Sequence, residues 1–335
     1  GGTMSEGVYH CKSCGNEEFT SRNQLFKHLK VCLLNRNPKN YDIIPDEVFF
    51  SENLAYIYVT GGRVRGKTLD SFERYCCNTN TWESLGNMKE HRGSHSSVVI
   101  GQTLYVIGGG GLHHNLASGE QINCLTLENQ PIQVMNSFRH AMSVVAILDS
   151  PSDSPAIYAI GGWEDGSRCC HQLEKYNVNL QQWSDCEPMP TARRLFGATA
   201  HQQKIYCFGG KREDGIWDTN VLEIYDSSTN TWSTGKPLPY PGQTSAITIQ
   251  DFVYVIIHGG GIYRYDPSTD SYVLLTSSLP LNKWFCFDVT TVNQEIYFHG
   301  GNVDGKWSNE LFKYHPYLDR WTHLTPMQKE RRRCS

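Results

Sequence analysis

No stretch of the 335-residue chain holds the roughly 18 consecutive apolar residues of a membrane-crossing helix, and the N-terminus lacks the apolar core of a secretory signal. Strong charge of either sign is missing too. Thirty Lys and Arg stand against 34 Asp and Glu, a formal net charge of −4, which excludes a basic nucleic-acid coat and an acidic tail. No nucleophile elbow, P-loop or dinucleotide fingerprint stands outside a set of recurring glycines. The expectation is a soluble protein of the cytoplasm and/or nucleus, without a membrane partner. Cysteine is not scarce, at twelve. Three of these, with one histidine, have metal-ligand spacing. The rest, among them the neighbours Cys76 and Cys77, are scattered through strand-rich sequence and read as reduced thiols.

What is present is a repeat. Six times a hydrophobic strand runs into a glycine pair, as in residues 104–109, Leu-Tyr-Val-Ile-Gly-Gly. The first glycines are Gly61, Gly108, Gly161, Gly209, Gly259 and Gly300, at steps of 47, 53, 48, 50 and 41 residues. A period of this size marks stacked supersecondary units. After each pair come two aromatics seven residues apart: Tyr75 and Trp82, Tyr176 and Trp183, Tyr225 and Trp232, Tyr265 and Tyr272, Tyr314 and Trp321. The second repeat alone lacks them. Asn, Asp, Ser and Thr fill the turns between them, as short antiparallel connections require. A Met or Leu follows (Met88, Met135, Met189, Leu238, Leu279, Met327), and then a new apolar strand. Four strands per unit result, an all-β architecture.

The N-terminus reads differently. Residues 1–3 precede Met4 and are set aside as a cloning remnant. Cys11 and Cys14 form a Cys-x2-Cys knuckle, and His28 and Cys32 are four apart, as on one face of a helix. Zinc takes four such tetrahedral ligands. Phe19 and Leu25 would form the small core, and Ser21 or Thr20 would cap the helix. Residues 8–34 resemble a ββα zinc finger with Cys32 in place of the usual last histidine, which implies one structural zinc ion on Cys11, Cys14, His28 and Cys32. In the DNA-reading family the base-facing positions would fall on Ser21, Asn23, Gln24 and Lys27. One finger covers only about three base pairs, so an interaction module is favoured over nucleic acid. Residues 35–42 read as a linker.

Glycine pair, Tyr-x6-Trp and Met-x3-Arg in register resemble the Kelch pattern, and residues 43–335 resemble a six-bladed Kelch β-propeller. A single four-stranded blade cannot bury both faces, so blades stack around a channel. The resemblance implies that two loops per blade meet on one face, placing there Arg63, Arg92, His113, Arg139, His140, Trp163, Arg193, Arg194, Lys211, Arg212, Gln243, Lys283, Trp284, Arg331 and Arg332. A basic concave face with planar guanidinium groups suits carboxylates or phosphates. His258 and His299 stand directly before their glycine pairs. With His140 they are weak candidates for a catalytic or metal site.

The first reading is a protein-interaction or substrate-recognition module that binds an acidic or phosphorylated partner on the basic face, with the finger as a second interaction module. An enzyme acting on an anionic small molecule, with or without a metal, is the alternative. It requires His140, His258 and His299 to converge in a deep pocket. An RNA-associated protein is the weaker alternative.

Overall fold

The computed structural model describes residues 2–5, 8–11, 18–19, 54–148, 154–164, 168–213 and 218–335. The chain divides into two units, 1–54 and 55–335. In the first, Gly2–Ser5, Val8–Cys11 and Glu18–Phe19 form an antiparallel sheet, with Tyr9 opposite Phe19 and His10 opposite Glu18. The segment set aside as a remnant thus contributes an edge strand. Cys14, His28, Cys32, the expected helix and the linker lie outside the described residues, as does the side chain of Cys11. The second unit spans Ala55–Ser335.

Among the described residues every element of the second unit is a β-strand. Repeats 2 to 6 each make a four-stranded antiparallel sheet in sequence order. Repeat 3 shows the pattern: Ser143–Ile147, Ala156–Ile160, Leu173–Asn177 and Gln182–Cys186. The second strand is the apolar run before each glycine pair. All five residues of Ala156–Ile160 are buried, because a sheet stacked between two others has no solvent face. The fourth strand alternates and lies outermost. Inner strands Ser96–Ile100, Ser143–Ile147, Gly197–His201, Thr244–Ile249 and Asp288–Val292 are successive neighbours around one channel.

Among the described residues the sheet of repeat 1 holds three of its own strands, Tyr56–Thr60, Ser71–Cys76 and Thr81–Asn87. Its inner side is met by the last residues of the chain. Thr60 N donates to Ser335 O at 2.6 Å, Ser335 N donates to Thr60 O at 3.3 Å, and Arg63 and Arg332 exchange backbone bonds in the same way. Arg333 N donates to Cys286 O of repeat 6, and Ser94 N of repeat 2 donates to Arg333 O. The C-terminal residues therefore sit between repeats 6 and 2, where the inner strand of repeat 1 belongs. All-β sheets, repeats and this closure fit the propeller expectation.

The aromatic pair has two jobs. Tyr75 and Trp82 lie 5.2 Å apart, and the other four pairs 4.7 to 5.2 Å. Four of these tyrosines also donate to a turn residue five positions on: Asn80, Asn230, Asp270 and Asp319. Each acceptor has positive φ, which Asn and Asp tolerate best among residues with a side chain. The outer ring then reaches back one repeat. Trp183 Nε1 donates to Gln133 O at 2.7 Å, Trp232 Nε1 to Glu187 O at 2.7 Å, and Tyr272 OH to Lys236 O at 2.8 Å. Trp82 Nε1 donates to Thr325 O at 2.8 Å, so the same bond ties repeat 1 to the end of repeat 6.

The first glycine of each pair is a point of close approach. Gly161 has φ +55°, and a Cβ there would stand 2.7 Å from Arg193 O and 2.9 Å from the Phe196 ring. Gly161→Ala is expected to destabilise by about 2 kcal/mol or more, from αL strain plus backbone overlap, read as a fall in the urea midpoint. Gly305→Ala, also at positive φ but with open space around it, should cost about half as much.

Candidate functional site

Five expected face residues do not reach the face. Arg92, Arg139, Arg193, Arg331 and Trp284 are each 0% exposed. Each arginine lies under its own sheet and donates to the carbonyl of the first glycine of the pair: Arg92 to Gly108, Arg139 to Gly161, Arg193 to Gly209, Arg331 to Gly61, at 2.9 to 3.0 Å. Each also meets a buried glutamate of the third strand: Glu120 at 3.0 Å, Glu174 and Glu223 at 2.8 Å, and Glu73. A guanidinium with five donors satisfies several carbonyls and a carboxylate at once, which makes burial of both charges tolerable. These arginines are structural plugs that cannot touch a ligand.

Repeats 5 and 6 show the rule by breaking it. Gly242 holds the arginine position in repeat 5, its carbonyl accepting from Gly210 as that of Arg193 does from Gly162. Tyr263 takes the glutamate position there. In repeat 6, Trp284 takes the arginine position and donates from Nε1 to Gly300 O at 2.7 Å. Phe312 replaces the glutamate, edge-on to Trp284 at 5.7 Å. Lys283 is thus displaced one residue from its expected role, and pairs with Asp304 at 3.3 Å in solvent. Wherever the arginine is lost, the acid is lost with it.

The remaining positions divide. His113 is exposed. His140 bonds Asn115 Oδ1 at 2.7 Å, and Gln243 lines the channel. Lys211 meets Asp218 at 3.5 Å and Arg65 meets Glu330 at 3.0 Å. Arg212 also has a partner. Arg63, Arg194 and Arg332 have no ion pair or side-chain hydrogen bond among the described residues, and the Nε of each is buried without a partner. Arg333, which is not among the expected face residues, is the fourth of this kind. Its charge reaches the other three: burial, then Arg333, lowers the pKa of Arg63 and Arg332, and Arg333 acts in the same sense on Arg194. Arg194 stacks on Trp163 at 3.5 Å, and Arg332 on Trp307 at 4.1 Å. Trp163 thus serves as a platform for Arg194. Arg63 lies flat over Gly93, where a Cβ would come within 2.6 Å of its Cγ.

Beside them runs the channel, a cavity of about 880 Å³ whose lining mixes Val, Ala, Leu and Ile with Ser, Thr, Asp288, His95, His258, His299 and Arg333. His140 is not among its lining residues. His258 bonds Ser245 Oγ at 2.8 Å, accepts from Cys286 N at 3.2 Å and stacks on Phe287 at 4.1 Å. His299 Nδ1 lies 3.6 Å from Cys334 Sγ, and His95 Nε2 bonds Thr60 Oγ1 at 2.8 Å. Among the described residues no group of three or more His, Cys, Asp or Glu could hold a metal ion. The three histidines are thus neighbour-bonded, and the convergence of His140, His258 and His299 does not occur. Burial pushes His95 and His258 down to about 3, and His299 to about 4. The unfolded chain then binds more protons than the folded one at mildly acid pH, so stability rises with pH there. Asp288, pushed up to about 6 by burial, works in the opposite sense. Three groups against one predict a net loss of roughly 2 kcal/mol or more from pH 7 to pH 5, checked by urea unfolding at both values.

Residues 61–68, Gly-Gly-Arg-Val-Arg-Gly-Lys-Thr, spell a phosphate-loop motif that begins on a repeat glycine. The chain folds them as a tight hairpin, Arg63–Val64 against Lys67–Thr68. A phosphate loop needs a strand leading into a helix N-terminus, so this match makes no nucleotide cradle.

The Kelch motif model matches residues 56–89, 91–128, 154–190 and 192–239. Kelch-like protein 26 of Danio rerio is 29% identical over 187 residues, covering 55% of this chain and 30% of that protein. Kelch-like protein 36 of Mus musculus is 26% identical over 193 residues, with the same two shares. Kelch-like protein 40 of Xenopus laevis is 34% identical over 101 residues, 30% of this chain and 16% of that protein. The chain spans less than a third of the length of these curated relatives. Four matched motifs lying on the first four of the repeated sheets, together with these relatives, support a Kelch-repeat protein.

Proposed function

We propose that the second unit is a protein-interaction and substrate-recognition module, and that it binds an acidic or phosphorylated segment of its partner at the channel mouth. One observation carries this: Arg333 lines the channel, and Arg63, Arg194 and Arg332, each within reach of its charge, are half-buried around it without an ion pair among the described residues. Holding Arg333 near Arg63, Arg332 and Arg194 is unfavourable, only Arg194 feeling a nearby carboxylate, Glu213, and an incoming anion relieves it. The other plausible face cations, Arg65, Lys211 and Lys283, have such partners already. The field of the cluster would also speed capture of an acidic partner, more so at low salt.

Reversing two of these charges, Arg194→Glu with Arg332→Glu, is expected to weaken binding of an acidic peptide at least 30-fold. Fluorescence anisotropy reads this. Arg168→Glu, in an exposed pair with Glu164, should leave binding within twofold.

The zinc finger of residues 8–34 is proposed as a second interaction module, with Cys11, Cys14, His28 and Cys32 as ligands. The hairpin Val8–Cys11 with Glu18–Phe19 supports the ββ half of that reading. One zinc ion per chain in the intact protein, absent after Cys14→Ala with Cys32→Ala, is the expected result by elemental mass spectrometry. Equal zinc in both would dismiss it.

A further inference from the structure

The four arginines are not evenly placed. Arg194 leads into the inner strand of repeat 4, and Arg332 into the inner position of repeat 1. In a ring of six these lie three steps apart in either direction, on opposite sides of the mouth. Both carry the same device. A tryptophan from the glycine-pair loop of the preceding repeat, Trp163 or Trp307, forms the platform, and the guanidinium stacks on it at 3.5 or 4.1 Å. The other four repeats lack it. At the matching position repeat 2 has Gly93 beneath Arg63, repeat 3 has His140 bonded to Asn115, repeat 5 has Gln243 and repeat 6 has Phe285.

Stacking fixes the plane of a guanidinium and leaves its edge as the donor surface. In both residues the inner Nε is buried and unpartnered, so the side chain is anchored while its outer edge faces the ligand. Two pre-oriented forks on opposite sides of one opening cannot share a single carboxylate. Arg333 lines the channel between them, where it can receive backbone carbonyls or a third anionic oxygen.

We propose that the two Arg-on-Trp stacks are the two ends of one bidentate site, which recognises a polypeptide segment bearing two acidic side chains that straddles the channel mouth, one acid at Arg194 and one at Arg332. The inference rests on the acidic-partner reading above and makes it specific: one acid is insufficient, and the spacing between two is selected. A phosphoserine can stand for either acid, since the fork binds phosphate as it binds carboxylate.

The test uses the full chain and an array of Gly/Ser 12-mers carrying one Glu, two Glu separated by one to six residues, or the same with phosphoserine. Two acids at a preferred spacing should bind at least 30-fold tighter than one. Arg194→Gln and Arg332→Gln should each reduce the two-acid peptide to the one-acid level, and the double variant should add little. Unchanged thermal unfolding of the variants separates this from misfolding. A one-acid peptide that binds as well as any two-acid peptide, or two-acid binding indifferent to either variant, overturns the two-ended site while leaving the acidic-partner reading in place. Failure of every acidic peptide to bind overturns both.

Discussion

Glu73→Ala is expected to lower stability by about 3–5 kcal/mol, the range for removing one partner of a buried ion pair. The loss is larger than for any solvent-exposed pair, because Arg331 is left 0% exposed with its charge unmatched. Arg331 comes from the end of the chain and Glu73 from the first repeat, so the pair also closes the ring. In thermal terms the loss corresponds to a fall on the order of 10 °C. Arg65 and Glu330 form an ion pair nearby at 3.0 Å. Arg65 is 80% exposed there, and Glu330→Ala should cost less than about 1 kcal/mol. The comparison separates burial from sequence position. Repeat 6 suggests a rescue: Glu73→Phe with Arg331→Trp copies Phe312 and Trp284. An apolar pair of matching shape can equal a buried ion pair. The double variant should therefore recover more than half of what Glu73→Ala loses.

Trp284→Arg is expected to be as damaging, although it restores the residue found in four other repeats. The arginine would enter a pocket built from Phe287, Phe298 and Phe312, whose rings lie 4.7 to 5.9 Å from the Trp284 ring. Gly300 O could still accept one bond, but no glutamate stands where Phe312 does. An unpaired buried guanidinium and a lost aromatic cluster together should cost about 3–5 kcal/mol. Adding Phe312→Glu to Trp284→Arg should return part of it, measured as a coupling energy in a double-mutant cycle. Additive losses would show that the arginine and glutamate positions are not linked as the other four repeats indicate.

The fold was legible because it rests on residues whose requirements are local. Glycine pairs, alternating strands and Tyr-x6-Trp each demand a particular backbone, and the six copies reinforce one another. The site was less legible. Met-x3-Arg marks both a buried plug and the start of the face, and spacing alone does not separate Arg193 from Arg194. A usable signal was present: Glu two residues before the repeat tyrosine, as in Glu73 and Tyr75, Glu174 and Tyr176, Glu223 and Tyr225. Each such glutamate reserves the first arginine for the interior and leaves the following residues for the mouth. Repeat 6 defeated counting from Leu279, because Trp284 there lies five residues on rather than four. Arg333 has no counterpart to reveal it, since no other repeat has a charged residue two places past the plug position, and its importance appears only when the ring closes.

The unpaired arginines at the mouth are expected to select acidic segments. The most direct test is a random-peptide display selection on the intact protein, repeated on the variant combining Arg63→Gln, Arg194→Gln, Arg332→Gln and Arg333→Gln. Peptides enriched on the intact protein should be rich in Asp and Glu, and the variant should retain none of them. Enrichment of neutral or basic peptides, or of acidic peptides that the variant holds equally well, would contradict it.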